Sequence, residues 1–191
     1  MPSAEGVELW RVFPWDASAP PGERFSASYV PTPSGRGRFD LPRRISRVAY
    51  LAASPEHAVA EVIQPWRGGR IGPAHLRRAG LPLGLVRVTL ASRSASLADL
   101  CRAEVLLRLA AEPDRTASRD RAITQAIARR IWDDGYAGLR WWSSFRGDWH
   151  TYVLFMERVD GAVRFEVPEV LEPDHPAVRS GAEMLGIRVV A

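Results

Sequence analysis

The sequence predicts an α+β fold in which a mostly antiparallel, mixed sheet carries flanking helices. Strand and helix patterns follow one another without the regular strand–helix–strand alternation that is typical of a parallel sheet. The length of 191 residues fits one domain that is large enough to bury a core. A hydrophobic fraction of 46% and a charged fraction of 25% are ordinary for a globular protein. We therefore expect a single compact domain over residues 1–191.

The first half of the chain contains two short strands, a long irregular segment and a helix. Residues 7–13 (VELWRVF) and 47–52 (RVAYLA) have the composition of strands. Between them, residues 14–44 are rich in Pro, Gly, Ser and Arg, and so long a segment without periodicity is typical of functional or disordered chain. A helix is predicted after Ser54, a suitable N-cap, and it ends at Pro65 because proline breaks helices.

The second half mixes strands with helices whose apolar residues recur at helical spacing. Ile123, Ile127 and Ile131 lie four residues apart in a helix that we expect to be capped by Ser118 and to stop at Gly135. The other predicted elements are strands at 85–90, 138–142, 150–156, 165–167 and 187–190, and helices at 99–111 and 176–185.

Composition excludes several classes of protein. No apolar run approaches the roughly 18 residues that a membrane span needs, and the N-terminal segment MPSAEGVELWRVF lacks the basic and apolar regions of a signal peptide. The single cysteine, Cys101, excludes an internal disulfide, and we expect it in an apolar helix as a small core residue. These features predict a cytoplasmic protein without a membrane interaction.

The charge of the chain indicates an anionic partner without identifying it. All 26 basic residues are arginine and the formal net charge is +4. Arginine binds phosphate and carboxylate in a bidentate way that lysine cannot, but a charge of this size is weak evidence for nucleic acid. The sequence contains no CxxC, HExxH, P-loop or G-x-S-x-G motif. The four histidines lack metal-ligand spacing, so we predict no metal site; they are His57, His75, His150 and His175.

Glu61 has the most informative surroundings of any residue in the chain. It lies in a short, mostly apolar helix with no arginine three or four positions away, and only His57 lies within one turn. A carboxylate in such a helix either points to water or has a chemical role. Arginines and glycines upstream and the hydroxyls of GLRWWSSF downstream suggest a site that holds an anionic substrate and stabilises a cation with one acid.

Two interpretations stay open for the arginines of the N-terminal third. Arg11 lies between apolar residues in a strand, so it is either on the solvent face of an edge strand or buried against an anion. Arg36 and Arg38 lie in GRGRFD, where glycines let the backbone approach a ligand and leave amide donors free, as in anion-binding nests. The same Gly-Arg pattern is also common in solvated turns.

The remaining candidates are an aromatic residue and a pair of serines. Tyr50 shares one face of a strand with Val48, and a core position with a satisfied hydroxyl is the simplest interpretation. Ser143 and Ser144 follow two tryptophans at the end of a strand. Serines there are usually turn formers, but next to Trp141 they are also suited to line a pocket that stacks an aromatic ring.

Five motifs together resemble the RES domain family, named for its Arg, Glu and Ser. In order they are LWRVF, GRFDLP, VAYLA, AVAEV and GLRWWS, and they span about residues 8–157, which leaves 158–191 as a C-terminal extension that packs on the core. The chain departs from the usual family pattern in two places, with GRGRFD in place of GGRWN and Trp-Trp in place of Tyr-Arg before the serine. The second departure leaves Ser143 and the adjacent Ser144 as alternatives.

The resemblance implies a fold similar to ADP-ribosyltransferases and an activity on NAD, which would be the substrate. By position, Arg11, Glu61 and Ser143 match the three residues that give the family its name, and Arg38 and Tyr50 match motif positions that line its site. Loss of nicotinamide leaves a cation on the ribose, which a carboxylate such as Glu61 would stabilise. Arginines would hold the pyrophosphate and a serine would bind a ribose hydroxyl or the amide. The aromatic candidates for the nicotinamide pocket are Tyr50 and Trp141.

Many members of this family are toxins of bacterial toxin–antitoxin pairs. The resemblance therefore implies a toxin that hydrolyses or phosphorolyses NAD and a small helix-turn-helix antitoxin that covers the site. DNA would be bound only through the antitoxin, and a homo-oligomer is compatible with the sequence. Three alternatives remain: a transferase that modifies a specific protein, a basic RNA-binding or RNA-cleaving module, and a relative that has lost activity.

Overall fold

The computed structural model describes residues 6–91, 95–143 and 145–191. These residues form eleven strands and five α-helices. The strands are β1 (Gly6–Pro14), β2 (Val48–Ala52), β3 (Arg70–Ile71), β4 (Arg77–Arg78), β5 (Leu81–Ala91), β6 (Leu97–Asp99), β7 (Gly138–Trp142), β8 (His150–Phe155), β9 (Val163–Phe165), β10 (Glu169–Val170) and β11 (Arg188–Val189). The helices are α1 (Pro55–Ile63), α2 (Ala103–Arg108), α3 (Pro113–Ala117), α4 (Arg121–Asp133) and α5 (Pro176–Met184).

The chain divides into two compact units, each assembled from separate stretches of sequence. The first unit contains 6–7, Val30–Leu51 and Leu90–Val163. The second contains Glu8–Tyr29, Ala52–Thr89 and Arg164–Ala191. That one domain spans residues 1–191 stays a prediction.

The first unit is a sheet in which β8 and β7 are central. β7 pairs antiparallel with β8 and parallel with β6, so that Leu139 lies opposite both Val153 and Ala98. Side chains alternate between the two faces of a sheet, so these three aligned apolar residues lie on the same face. This face joins residues of α2 and α4 in one buried cluster, which is made of Phe39, Leu41, Val48, Ala98, Leu100, Leu106, Leu109, Ala111, Ile127, Ala128, Ile131, Leu139, Trp141, Val153 and Phe155.

The second unit has a sheet and a helix pair. β5 lies between β10 and β1, with Glu169 opposite Leu85, and β3 pairs in parallel with β11. Helices α1 and α5 pack against each other at Gly181, where an added Cβ would lie 3.0 Å from the Glu56 carbonyl oxygen. Because α5 has no side chain at this point, the backbones of the two helices approach closely.

The α+β class and the mixed, mostly antiparallel strand pairing are confirmed. The predicted strands at 138–142 and 150–156 and the helix of Ile127 form within one or two residues of the expected bounds. The N-cap of α1 is also confirmed, since the Ser54 hydroxyl accepts a hydrogen bond from the His57 amide at 3.3 Å. Among the residues that the structure describes, no helix is long and apolar enough to cross a membrane.

The helix predicted over residues 99–111 is wrong at both ends, because α2 covers only Ala103–Arg108. Residues up to Asp99 form β6, which pairs with β7, so sheet pairing overrides a local sequence that favours a helix. The helix α2 begins only at Ala103, and consequently Cys101 is exposed instead of lying in the core. Leu107 of this helix is 81% exposed.

The predicted cap of α4 is wrong by two residues. Asp120 is the N-cap and accepts a hydrogen bond from the Ala122 amide at 2.9 Å. The Ser118 hydroxyl instead accepts from the Asp120 amide at 3.0 Å and lies just after the short helix α3, which the sequence did not reveal. Two acceptable capping residues lie close together, and an aspartate caps at least as well as a serine.

Candidate functional site

Glu61 lies on the exposed side of α1, with 42% of its side chain accessible. The imidazole Nε2 of His57, one turn earlier, is 3.3 Å from Glu61 Oε1, and the His57 side chain is completely buried. The Gln64 amide nitrogen donates to the Glu61 carbonyl oxygen at 2.8 Å and lies 3.4 Å from Glu61 Oε2. The acid therefore reaches solvent while its carboxylate is contacted from both sides, and Gln64 is a contact that sequence analysis missed.

Arg11 is partly buried in β1, which argues against a fully solvated strand face, while binding of an anion by this residue stays a prediction. Its strand is paired with the end of β2 through Trp10 and Ala52, three residues before α1 begins. The guanidinium donates from Nη2 to the Tyr29 carbonyl oxygen at 2.8 Å and lies 4.6 Å from the centre of the Phe13 ring. Burial lowers the pKa of Arg11 to about 10, so it remains a cation at neutral pH.

One donor of this buried cation is unmatched. The Arg11 Nε atom is inaccessible to solvent and has no hydrogen-bond partner among the residues that the structure describes. A buried charged group without full pairing is costly, and such groups are concentrated at functional sites. Binding of an anionic ligand by Arg11 stays a prediction.

The GRGRFD loop is organised by its own aspartate. Asp40 is 6% exposed, and its Oδ2 accepts hydrogen bonds from the amides of Gly35 and Gly37, both at 3.0 Å. The expectation that these amides are free to bind an anion is therefore wrong. An aspartate a few residues downstream can return to the backbone and satisfy the donors of a turn, and here it occupies the place of the anion.

Tyr50 completes this arrangement from the neighbouring strand. Its hydroxyl donates to Asp40 Oδ1 at 3.0 Å and accepts from the Phe39 amide at 2.9 Å. Burial, together with the nearby Asp40 carboxylate, raises the pKa of the Tyr50 hydroxyl well above its usual range, so it stays protonated and can donate. The described contacts match the simplest interpretation from the sequence, a partly buried tyrosine with a satisfied hydroxyl.

We expect Gly37→Ala to destabilise this loop. The added Cβ would overlap both the Asp40 carboxylate and the Tyr50 hydroxyl. Displacing these groups breaks buried hydrogen bonds and should lower the free energy of unfolding by about 2–3 kcal/mol, measured by urea denaturation. Gly147→Ala in the same unit is the control, because its Cβ meets no atom within 4 Å. Equal effects of the two substitutions would show that Asp40 does not fix the loop.

Arg38 and Trp141 are in contact in the first unit. The guanidinium carbon of Arg38 lies 4.1 Å from the centre of a Trp141 ring, and its Nη2 donates to the Thr116 carbonyl oxygen at 2.6 Å. Trp141 is 5% exposed and makes an edge contact with Phe39, with ring centres 5.7 Å apart. Trp141 is therefore a core residue whose ring makes a cation–π contact with Arg38.

Ser143 is buried at the end of β7. Its amide donates to the Trp149 carbonyl oxygen at 2.7 Å, and its hydroxyl accepts from the Phe145 amide at 3.2 Å. This is the turn-forming geometry that serines often adopt at strand ends. The alternative serine, Ser144, lies outside the described residues.

The structure groups the six predicted site residues in two sets. Arg11 and Glu61 belong to the second unit, and the other four belong to the first unit, where each makes the local contacts given above; they are Arg38, Tyr50, Trp141 and Ser143. The participation of these six residues in one NAD site stays a prediction.

The first unit also contains a cleft of about 360 Å³ that none of the six predicted site residues lines. It is formed by the loop after Pro33 and by the face of α4 that carries Gln125 and Arg129. The Gln125 side chain donates to the carbonyl oxygens of Gly35 and Gly37, both at 2.9 Å, and so fixes the loop against the helix.

Comparison with known proteins identifies the family. No curated protein matches the chain. The crystal structure of the M. tuberculosis MbcT–MbcA toxin–antitoxin complex contains a chain of the same fold, with a TM-score of 0.59 and 16% sequence identity over 96% of this chain and 90% of that chain. The family model of the RES domain matches residues 8–179, which extends the expected match beyond residue 157 into α5. This protein belongs to the RES domain family.

Proposed function

We propose that this protein is the toxin of a bacterial toxin–antitoxin pair and that it degrades NAD by cleaving the bond between nicotinamide and ribose. Family membership supports a toxin with enzymatic activity. The observation that carries the chemistry is the presence, in one unit, of a buried cation with an unmatched donor and an accessible, oriented carboxylate. These residues are Arg11 and Glu61.

The proposed reaction needs one carboxylate to supply negative charge, and it needs no metal ion. When the glycosidic bond between the ribose C1″ atom and the pyridinium nitrogen breaks, the electron pair moves to the nitrogen and nicotinamide leaves as a neutral ring. The leaving group therefore needs no proton. Positive charge develops on the ribose C1″ and ring oxygen, and this charge is what the protein must stabilise.

Glu61 provides the negative charge. A carboxylate that is already oriented stabilises a developing cation without reorganising at the moment of bond cleavage, and such preorganised charges are usually the largest single contribution to catalysis. Arg11 provides the complementary charge for the substrate, because a guanidinium binds a pyrophosphate by charge-assisted hydrogen bonds. The burial of Arg11 strengthens this attraction, since a low local dielectric weakens screening.

The acceptor completes the reaction. If water attacks C1″, its oxygen forms the new bond and one proton is released, which gives ADP-ribose. If inorganic phosphate attacks, the product is ADP-ribose-1″-phosphate. A protein side chain as acceptor would make the same pocket a transferase, and this is the alternative activity that the chemistry allows.

The four candidates in the first unit are proposed to support the same reaction. Arg38 would bind a phosphate and Ser143 a ribose hydroxyl or the nicotinamide amide, while Tyr50 and Trp141 would shape the nicotinamide pocket. Each of them has a local partner in the first unit, so substrate binding would have to share or replace some of these contacts.

An antitoxin is the proposed protein partner. A protein that consumes NAD must be held inactive in its own cell, and the matching fold occurs in a structure described as a toxin–antitoxin complex. We propose a cytoplasmic complex in which a small helix-turn-helix antitoxin covers the site and contacts DNA, so that the toxin reaches DNA only indirectly. A homo-oligomer of the toxin is compatible with this arrangement.

The test is the loss of NAD on addition of the purified protein, with and without inorganic phosphate, followed by chromatography of the products. We expect NAD to disappear, with ADP-ribose as product if water is the acceptor and ADP-ribose-1″-phosphate if phosphate is. Labelled protein after incubation with labelled NAD and a cell lysate would identify a transferase. If NAD is not consumed and no protein is labelled, the proposal is refuted. A salt-dependent shift with RNA would then favour the RNA-binding alternative.

A further inference from the structure

We propose that His57 and Gln64 are positioning residues that hold the Glu61 carboxylate in one orientation for the reaction. The inference rests on the proposed function, in which Glu61 faces the developing cation. Its starting point is the spacing of two donors around Glu61: His57 precedes it by four residues within α1, and Gln64, the C-cap of α1, follows it by three, so both side chains can reach the carboxylate.

The two side chains approach different atoms of the carboxylate. His57 Nε2 is 3.3 Å from Oε1, and Gln64 Nε2 is 3.4 Å from Oε2. The Gln64 nitrogen is anchored by a shorter bond of 2.8 Å to the Glu61 carbonyl oxygen. An exposed glutamate otherwise samples several rotamers, and a donor at each oxygen limits this freedom.

Both contacts are slightly longer than the roughly 2.7–3.2 Å that is typical of N–H···O hydrogen bonds. They orient the carboxylate without satisfying all of its lone pairs, so negative charge remains available to a ligand. In this arrangement His57 uses the tautomer with hydrogen on Nε2, because a carboxylate is only an acceptor. Neither His57 nor Gln64 has to touch the substrate.

The imidazole is a rigid support, which distinguishes it from an ordinary surface partner. The His57 side chain has no exposed area, whereas Glu61 is 42% exposed. Helix α1, which carries His57 and Glu61, is itself held in place by α5. The two backbones are so close that a Cβ added at Gly181 would lie 3.0 Å from the Glu56 carbonyl oxygen. A buried ring on a packed helix cannot follow the carboxylate, so the carboxylate must adapt to the ring.

A second pair in the same unit shows what a purely structural contact looks like. His175 Nε2 lies 3.2 Å from Glu169 Oε2, while His175 Nδ1 accepts from the Ala177 amide and caps α5. Glu169 is 77% exposed and no side-chain amide reaches its second oxygen in the described part of the chain. Glu61 differs from Glu169 because both of its oxygens are contacted.

The kinetic test compares His57→Leu with His57→Gln. Leucine fills the volume without a donor, whereas the glutamine amide nitrogen can replace Nε2. We expect His57→Leu to lower kcat for NAD about 10-fold with KM changed less than about twofold, because a misplaced catalytic group affects the transition state more than binding. We expect His57→Gln to recover most of the loss, and Gln64→Leu to lower kcat to a smaller extent.

Val59→Ala is the control for general damage to α1. Val59 is completely buried in the same helix, and its side chain has no hydrogen-bond donor. It should reduce stability and leave kcat unchanged. Equal loss of kcat in Val59→Ala and His57→Leu, or equal kcat in His57→Leu and the unmodified protein, would overturn the proposal.

A spectroscopic measurement separates this inference from the proposed function. In ¹⁵N–¹H correlation spectra of the full chain, we expect His57 to carry its hydrogen on Nε2 and its Nε2 resonance to move in Glu61→Ala, while His175 resonances stay in place. Absence of that coupling overturns the inference whether or not NAD is consumed. A clear coupling in a protein that leaves NAD intact supports the orienting role and places the failure in the proposed reaction.

Discussion

We expect Glu61→Gln to lower kcat for NAD cleavage by about 100- to 1,000-fold. The substitution keeps the size and shape of the side chain and removes its charge, so the developing ribose cation loses its main electrostatic partner. A loss of this size corresponds to about 2.7–4 kcal/mol of transition-state stabilisation. Initial rates of NAD consumption at saturating substrate measure it directly.

The fold should be unaffected by this change. Glu61 is 42% exposed, and substitutions at such positions usually alter the free energy of unfolding by about 0.5 kcal/mol or less. Glu56→Gln is the matched control, because it removes a carboxylate from the first turn of the same helix. If Glu61→Gln kept more than half of the NAD turnover, the role assigned to Glu61 would be wrong.

The second large effect is expected at Arg11, where activity should fall without a loss of stability. Arg11→Met should lower kcat/KM for NAD about 100-fold, mainly through KM, because a ligand for the pyrophosphate is removed. The same change should leave the thermal midpoint unchanged or raise it. Replacing an incompletely paired buried charge by an apolar side chain of similar length is often neutral or stabilising.

Steady-state kinetics and a thermal melt on the same preparation test both parts. Arg11→Lys keeps the charge and loses the planar fork, so we expect an intermediate kcat/KM. Arg87→Met is the control for loss of a cation: Arg87 is half exposed and pairs with Glu8 and Glu166, and surface pairs contribute little. A lower midpoint with unchanged KM in Arg11→Met would show that Arg11 is structural.

Local signals predicted much of the fold. A few adjacent residues were enough to predict several features. These are the N-cap at Ser54, the helix with Ile127 at four-residue spacing, and the strands that contain Trp10 and Leu139. The expected start of a helix at Asp99 failed because the pairing of β6 with β7 joins residues about forty positions apart. Information of that kind is absent from a local window.

The sequence identified candidate residues for the site, but it did not predict the contacts that these residues make. The apolar surroundings of Glu61 identified an unusual acid, yet the contribution of Gln64 depends on how a side chain folds back at the end of α1. The GRGRFD motif was compatible with an anion-binding loop or a solvated turn, and in the structure Asp40 accepts from its Gly35 and Gly37 amides. Sequence shows which donors and acceptors are available, and only the folded backbone decides which of them meet.

The close approach of α5 to α1 has a consequence for protein synthesis. Glu61 is translated more than a hundred residues before Gly181, and its helix gains its packing partner only when α5 has left the ribosome. A nascent chain therefore carries the acid without the packed helix that supports it. Under the proposed function, cleavage of NAD would therefore begin only after α5 has docked on α1.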